Sequence, residues 1–174
     1  PKGIAHALGM AEEFAAGQDV CALFGDNIYF DNISHHITQF AGGGHIFLKE
    51  VSDPERFGIA EMQNNRVVSV EEKPLKPKSN FAQTGCYVYD HRCFDVIRNL
   101  KPSKRGELEI TDVTKWFVER DEIEATILED DWIDAGTFES LHAAAVEVRA
   151  RKKDIADAAK SAGMQSVKKE KATA

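Results

Sequence analysis

Val20-Cys21-Ala22-Leu23-Phe24-Gly25-Asp26-Asn27 is a short apolar run stopped by a polar turn. Such a run, too short for a helix and closed by Gly-Asp-Asn, reads as a buried β-strand that ends in a loop. Working outward, the spacing of Ala5, Leu8, Ala11 and Ala15 predicts a helix over 5–14, and 33–40 predicts another, ended by Gly42-Gly43-Gly44. Strands are expected over 45–51 and 57–62, with Asn64-Asn65 as a hairpin turn before a strand over 67–70. Pro74-Leu75-Lys76-Pro77-Lys78-Ser79-Asn80 is polar and proline-punctuated, hence loop. Residues 84–89 are β-rich, and Asp90 is placed to cap a helix with Phe94, Ile97 and Leu100 on one face.

Ile110, Val113, Trp116 and Phe117 mark a further helix, 125–128 a strand, and Trp132 to Gly136 a turn. Thr137 then caps a helix that should turn Phe138, Leu141, Ala145 and Val148 inward. Strands alternating with helices indicate an α/β domain. The hairpin makes its sheet mixed, and the alternation favours a mostly parallel one. Residues 1–149 read as one domain with no dividing linker, and 150–174 as a basic tail that frays or is disordered.

Composition sets the outer limits. The 174 residues are 43% hydrophobic and 29% charged, which is the profile of a globular domain and excludes wholesale disorder. No apolar run approaches the roughly 20 residues needed to span a bilayer. The net charge of −7 argues against nonspecific binding to nucleic acid or anionic membranes. Basic residues concentrate from Glu147 onward, where eight Lys/Arg meet four Asp/Glu, against 14 and 25 in the rest. Three cysteines without metal-ligand spacing suggest a reduced, cytoplasmic setting. The first residues carry no signal-peptide pattern and no Met, so the start of the chain is not expected to be the start of its gene.

Three polar stretches could carry chemistry, and each has a plainer reading. Gly25-Asp26-Asn27 ends a buried strand, where open α/β sheets bind their ligands; it is also ordinary turn chemistry. Asp134, within Asp130-Asp131-Trp132-Ile133-Asp134-Ala135-Gly136-Thr137, could join Asp26 on Mg²⁺. That ion usually takes one or two protein carboxylates and completes its shell with water and phosphate oxygens. Asp134 could equally serve a helix dipole. Glu71-Glu72-Lys73-Pro74 offers a carboxylate for sugar hydroxyls and an ammonium for a phosphate, or simply a solvated strand end. Gly42-Gly43-Gly44 lacks the strand-loop-helix setting and the Lys-Ser/Thr of a P-loop. His35-His36 reads as surface, and no nucleophile elbow or Cys/His dyad is present.

In order and wording, the chain resembles the sugar nucleotidyltransferases, the thymidylyl-transferring members above all. The resemblance lies in Pro1-Lys2-Gly3-Ile4-Ala5-His6-Ala7, Gly25-Asp26-Asn27, Asp53-Pro54-Glu55-Arg56-Phe57-Gly58 and Glu71 through Asn80. It continues in Thr84-Gly85-Cys86-Tyr87, Leu100-Lys101-Pro102-Ser103, Arg105 through Asp112, and Trp132 through Thr137, covering 1–148. It implies a Rossmann-like nucleotidyltransferase domain in the cytoplasm, free or as a homo-oligomer, with no nucleic-acid or membrane partner. It implies a Mg²⁺-dependent displacement in which glucose 1-phosphate attacks the α-phosphate of dTTP, giving dTDP-glucose and pyrophosphate. UTP is the alternative nucleotide. By the same resemblance Asp26 and Asp134 hold the metal, and Glu72 and Lys73 hold the sugar and its phosphate. Lys73 joins the two aspartates as a catalytic group. Gly58 and Gly85 let the sugar approach the backbone, Gly3 contacts the nucleotide, and Tyr87 and Trp132 wall the pocket.

The chain departs from the family pattern in three places. The G-x-G-T-R-L loop and the lysine that follows it have no counterpart here. The chain is therefore expected to lack the family's N-terminal strands and the amide cradle for the triphosphate. Phe57 stands where many relatives carry Tyr, and the residues after Arg149 do not resemble the C-terminal helices of longer members. A non-catalytic remnant that still binds a sugar nucleotide is the alternative from another class.

Overall fold

The computed structural model describes residues 2–153. Its elements run α1 (Ile4–Gly9), α2 (Glu12–Ala15), β1 (Val20–Leu23), β2 (Asn27–Tyr29), α3 (Ser34–Thr38), β3 (Gly44–Glu50), β4 (Gly58–Gln63) and β5 (Arg66–Glu72). They continue as β6 (Phe81–Tyr89), α4 (Arg92–Asn99), α5 (Ile110–Val118), β7 (Ile123–Ile127) and β8 (Trp132–Asp134). A helix follows over 138–153. The chain divides into two compact units, Pro1–Trp132 and Ile133–Ala174. The division falls inside the stretch that the sequence places within a single 1–149 domain. Of the expected basic tail, 154–174 lies outside the described residues.

The sheet of the first unit is built around β6, which is buried along its whole length after Phe81. The strand order is β5-β4-β6-β3-β7, and β1 also pairs with β6. The sheet is mixed, as the hairpin requires. It is not mostly parallel: among the described strand pairs of this sheet only β3–β7 is parallel, and β1–β6, β3–β6, β4–β5 and β4–β6 are antiparallel. The reason is connectivity. The hairpin is followed by a loop and no helical crossover, and β6 re-enters antiparallel to β1, β3 and β4. Asn64 and Asn65 make the hairpin turn with φ 49° and 63°, the doubly left-handed geometry that matches strand twist and that Asn tolerates.

One irregularity lets β6 serve three partners. Its register against β3 jumps from Ile46↔Tyr87 to Leu48↔Gln83, leaving extra residues on β6 opposite Phe47. Gly85 sits in this bulge at φ 68°, where a side chain would be strained. The bend carries 81–83 toward β4 and β3, while 86–89 pair with β3 and β1.

Strand alternation buries both faces of the sheet. Ile46, Leu48, Tyr87 and Tyr89 pack with Phe94, Ile97, Val113 and Phe117 of α4 and α5. Phe47, Cys86, Val88 and Leu128 form a second core, with Ile33, Ile37 and Phe40 against it. Tyr89 stacks on Phe117 with centroids 5.3 Å apart, and its hydroxyl lies 2.6 Å from Thr114 Oγ1. All three cysteines are free. Cys21 and Cys86 lie diagonally across β1–β6, with sulfurs 3.9 Å apart. Among the described residues no helix is long and apolar enough to cross a membrane.

Three local expectations change. The helix over 5–14 is broken into α1 and α2 after Gly9, which packs so closely on α4 that a Cβ would sit 2.9 Å from Ile97 Cγ2. Trp132–Asp134 is a strand, not a turn. Thr137 does cap the last helix, its Oγ1 accepting the Ser140 N–H at 3.1 Å. Yet Phe138 and Leu141 are 90% and 54% exposed while Ala144 is fully buried, since so small a unit cannot enclose a wide apolar stripe within itself.

His45, on β3, has a side chain only 7% exposed, with Nδ1 3.6 Å from Glu124 Oε2 and Nε2 2.9 Å from Thr126 Oγ1. Burial, helped by His36 and opposed by Glu124, holds its imidazole below the ordinary value of 6.5. The folded state therefore resists a proton that the unfolded chain accepts, and stability falls as pH drops below about 6.5. Urea midpoints measured at pH 7.5 and 5.5 should fall for the wild type, and fall less for His45→Gln.

Candidate functional site

The hairpin, the start of β6 and the start of α5 meet at one rim of the sheet. Gly58 opens β4 and stands opposite Glu72, the last residue of β5. The β4–β6 ladder pairs Ile59 with Ala82, so Gly58 lies over Gln83. A Cβ on Gly58 would fall 2.6 Å from Gln83 Nε2, 2.7 Å from Thr111 Oγ1 and 3.1 Å from Glu72 Oε2. A glycine is therefore required, and a carboxylate, an amide and a hydroxyl converge beneath it.

Glu72 is oriented from both sides. Thr111 Oγ1 donates to Glu72 Oε2 at 2.5 Å, and Arg105 donates to Glu72 Oε1 at 3.1 Å. Arg105 also lies 3.4 Å from Glu107 and 3.5 Å from Glu109, and Ser103 Oγ donates to Glu109 at 2.7 Å. Three carboxylates thus share one guanidinium. Gln83 Nε2 reaches Thr111 Oγ1 at 3.4 Å, but Gln83 Oε1 is buried with no partner among the described residues. An unmade hydrogen bond of this kind costs about 1–3 kcal/mol.

Lys73 follows Glu72 at φ 43°, a left-handed conformation that costs roughly 1–3 kcal/mol for a residue with a side chain. Its N–H donates to Phe57 O at 3.0 Å, which turns the chain out of the ladder. Lys73 is exposed, and among the described residues its ammonium has no ion pair.

The rim continues past Gly85. Phe24 N–H donates to Gly85 O at 3.0 Å, and a Cβ on Gly85 would meet Phe24 Cδ2 at 2.7 Å and Asn27 Oδ1 at 3.0 Å. Asn27 bridges the loop: its Nδ2 donates to Asp26 Oδ1 at 2.8 Å, and its Oδ1 accepts the Trp132 indole N–H at 2.8 Å. Trp132 also meets Phe57 edge-on at 5.5 Å, joining the Gly85 side of the rim to the Gly58 side. Tyr29 donates to Thr84 O, and its burial raises the phenol's pKa well above the ordinary range. Lys49 Nζ, 2.7 Å from Asp130 O, and Asp31, accepting the Asp130 N–H at 2.9 Å, fix the approach to Trp132.

Of the residues singled out from sequence, the first unit gathers Asp26, Gly58, Glu72, Lys73, Gly85 and Trp132 along this rim. Gly3, at φ 96°, lies against Leu108 in the loop that carries Arg105. Tyr87 is only 4% exposed, its ring 5.6 Å from Phe24 and 6.1 Å from Tyr89, so it supports the rim from within the core. Asp134 belongs to the second unit, where its Oδ1 accepts the Gly136 N–H at 3.1 Å. Asp26 and Asp134 are hard oxygen donors of the type Mg²⁺ takes, and each spends one carboxylate oxygen on a local hydrogen bond. Among the described residues no group of three or more His, Cys, Asp or Glu is arranged to hold a metal. Gln83, Arg105, Thr111 and Asn27 were not singled out. The available signal was polarity out of place, Gln83-Thr84 inside an apolar strand. A cavity of about 710 Å³ bordered by Gly43, His45, Arg66, Arg92 and Glu122 contains none of the expected site residues.

A mixed α/β sheet thus gathers close-approach glycines, a clamped carboxylate and a lysine at its strand ends, where α/β sheets bind ligands. The chain belongs to the nucleotidyl transferase family, whose model matches residues 1–151. It is 43% identical over 152 residues to a glucose-1-phosphate thymidylyltransferase of Neisseria meningitidis serogroup A, covering 83% of this chain and 53% of that one. A glucose-1-phosphate thymidylyltransferase of Xanthomonas campestris pv. campestris is 39% identical over 155 residues, covering 83% and 52%. The chain thus spans about half the length of these curated relatives. A crystal structure of a Bacillus anthracis protein assigned as a glucose-1-phosphate thymidylyltransferase, in complex with a sucrose, superposes with a TM-score of 0.77 at 43% identity, covering 84% of this chain and 61% of that one. UDP-glucose pyrophosphorylase with UDP-glucose superposes at 0.75 and 20% identity, covering 86% and 63%, which shows a shared fold.

The convergence beneath Gly58 makes a direct prediction. Gly58→Ala must displace Gln83, Thr111 or Glu72 and should destabilise the chain by about 1–3 kcal/mol. Urea unfolding of the two proteins checks this.

Proposed function

We propose that this chain carries the sugar-binding part of a nucleotidyltransferase that joins glucose 1-phosphate to the thymidylyl group of dTTP, yielding dTDP-glucose and pyrophosphate. The observation that carries the reading is the clamped Glu72 carboxylate beneath Gly58, in a chain 43% identical to a glucose-1-phosphate thymidylyltransferase.

In this reading the Glu72 carboxylate accepts hydroxyls of the hexose, and Thr111 and Arg105 hold its two oxygens in place. Lys73 meets the sugar phosphate as a point charge. Gly58 and Gly85 admit the ring close to the backbone, and Gly3 and Trp132 border the nucleotide and phosphates. A phosphate oxygen of glucose 1-phosphate forms the new bond to the α-phosphorus as the bond to the pyrophosphate oxygen breaks in line. The residues act by positioning. Asp26 and Asp134 would each offer a carboxylate to Mg²⁺, which when bound would offset the charge growing on the phosphate oxygens.

The sequence contains no G-x-G-T-R-L stretch, and one missing transition-state donor can reduce rate about 100-fold or more. The 174 residues alone should therefore bind product better than they turn over substrate. Calorimetric titration with dTDP-glucose should show binding that strengthens with Mg²⁺. Glu72→Gln should weaken it about tenfold, or ~1.4 kcal/mol, and Asp26→Asn and Asp134→Asn should each remove the Mg²⁺ increment. Absence of any binding by the wild type overturns the reading. Equal binding of UDP-glucose assigns the uridylyl alternative, since one methyl is worth only about 1–3 kcal/mol.

A further inference from the structure

Gln83 is a polar side chain in a position that the fold does not require to be polar. It lies on β6, is 4% exposed, and belongs to a strand whose other residues after Phe81 are all buried. Its neighbour Thr84 resolves its own polarity inside the fold, donating from Oγ1 to Phe47 O at 2.9 Å. Gln83 does not.

Proton counting fixes which way the amide faces. Thr111 has a single hydroxyl proton, and it goes to Glu72 Oε2 at 2.5 Å. Thr111 Oγ1 can therefore only accept from Gln83, so the amide nitrogen faces it at 3.4 Å. The amide oxygen is left over, with no donor among the described residues. It is buried, so its donor is either an ordered water or a group of a ligand seated at the rim. Gly58 approaches the amide so closely that a Cβ there would come within 2.6 Å of Nε2 and 3.1 Å of Glu72 Oε2, which sets Gln83 beside Glu72 at the rim.

We infer that Gln83 is a specificity-determining residue whose amide oxygen accepts a hydroxyl of the pyranose ring, beside the hydroxyl read by Glu72. The inference rests on the proposed sugar-1-phosphate reading and deepens it. Gln83, Thr111 and Glu72 form one relay, amide to hydroxyl to carboxylate, that presents two acceptors to one ring. A site whose buried acceptor is completed by a ligand hydroxyl discriminates strongly against a ligand lacking that hydroxyl, because the acceptor is then left unpaired.

The test uses the 174-residue chain, glucose 1-phosphate and its 2-, 3-, 4- and 6-deoxy analogues, titrated calorimetrically into wild type, Gln83→Met and Gln83→Leu. Both substitutions keep the volume and remove the orphaned oxygen. The wild type should bind one deoxy analogue at least tenfold more weakly than glucose 1-phosphate, beyond the one governed by Glu72→Gln. The Gln83 variants should bind glucose 1-phosphate at least tenfold more weakly and no longer distinguish that analogue. Their urea midpoints should stay level or rise, where a merely structural glutamine would lower them. Wild-type ratios retained in both variants, or a drop in midpoint with the ratios intact, overturn the inference and leave the sugar-phosphate reading standing. No binding of any hexose phosphate by the wild type overturns both.

Discussion

The backbone of β6 is the constraint on which the fold and the site both depend. One nine-residue strand exchanges ladder bonds with β1, β3 and β4. The bulge at Gly85 separates the half that pairs with β4 from the half that pairs with β1, while β3 pairs with both. It also places Gln83, Thr84 and Gly85 in succession where the hairpin, the β1 loop and α5 come together.

Much of the fold was legible because its signals are local. The apolar run at 20–24, the Asn64-Asn65 turn and the Ile110, Val113, Phe117 stripe each specify their element within a few residues. What was not legible depends on partners distant in sequence. Sheet polarity is one example: alternation suggested parallel strands, but β6 re-enters through a loop. The last helix is another, since its Phe138 and Leu141 carry the spacing of an inward face and yet stand exposed. Periodicity describes a helix's own faces and says nothing of whether a partner surface exists.

The candidate site divides along the same line. Gly58, Glu72 and Gly85 could be named from the wording of their segments, and the structure gives each a physical reason for its identity: a cross-strand pairing, a clamped carboxylate, a left-handed bend. The residues that hold Glu72 in place could not be read, because Arg105 and Thr111 approach it across 33 and 39 residues of sequence. Tyr87, an aromatic that the wording places at the pocket wall, is buried between Phe24 and Tyr89.

The chain has two tryptophans, and their surroundings differ sharply. Trp116 lies under the guanidinium of Arg120 at 3.8 Å, on α5, while Trp132 holds Asn27 through its indole N–H and touches Phe57. Emission from the first reports on the helix layer and serves as an internal reference, whereas the second is an optical gauge set into the rim itself. Replacing Trp116 with Phe would leave a single tryptophan, making seating of a sugar nucleotide visible in the light of the unlabelled protein.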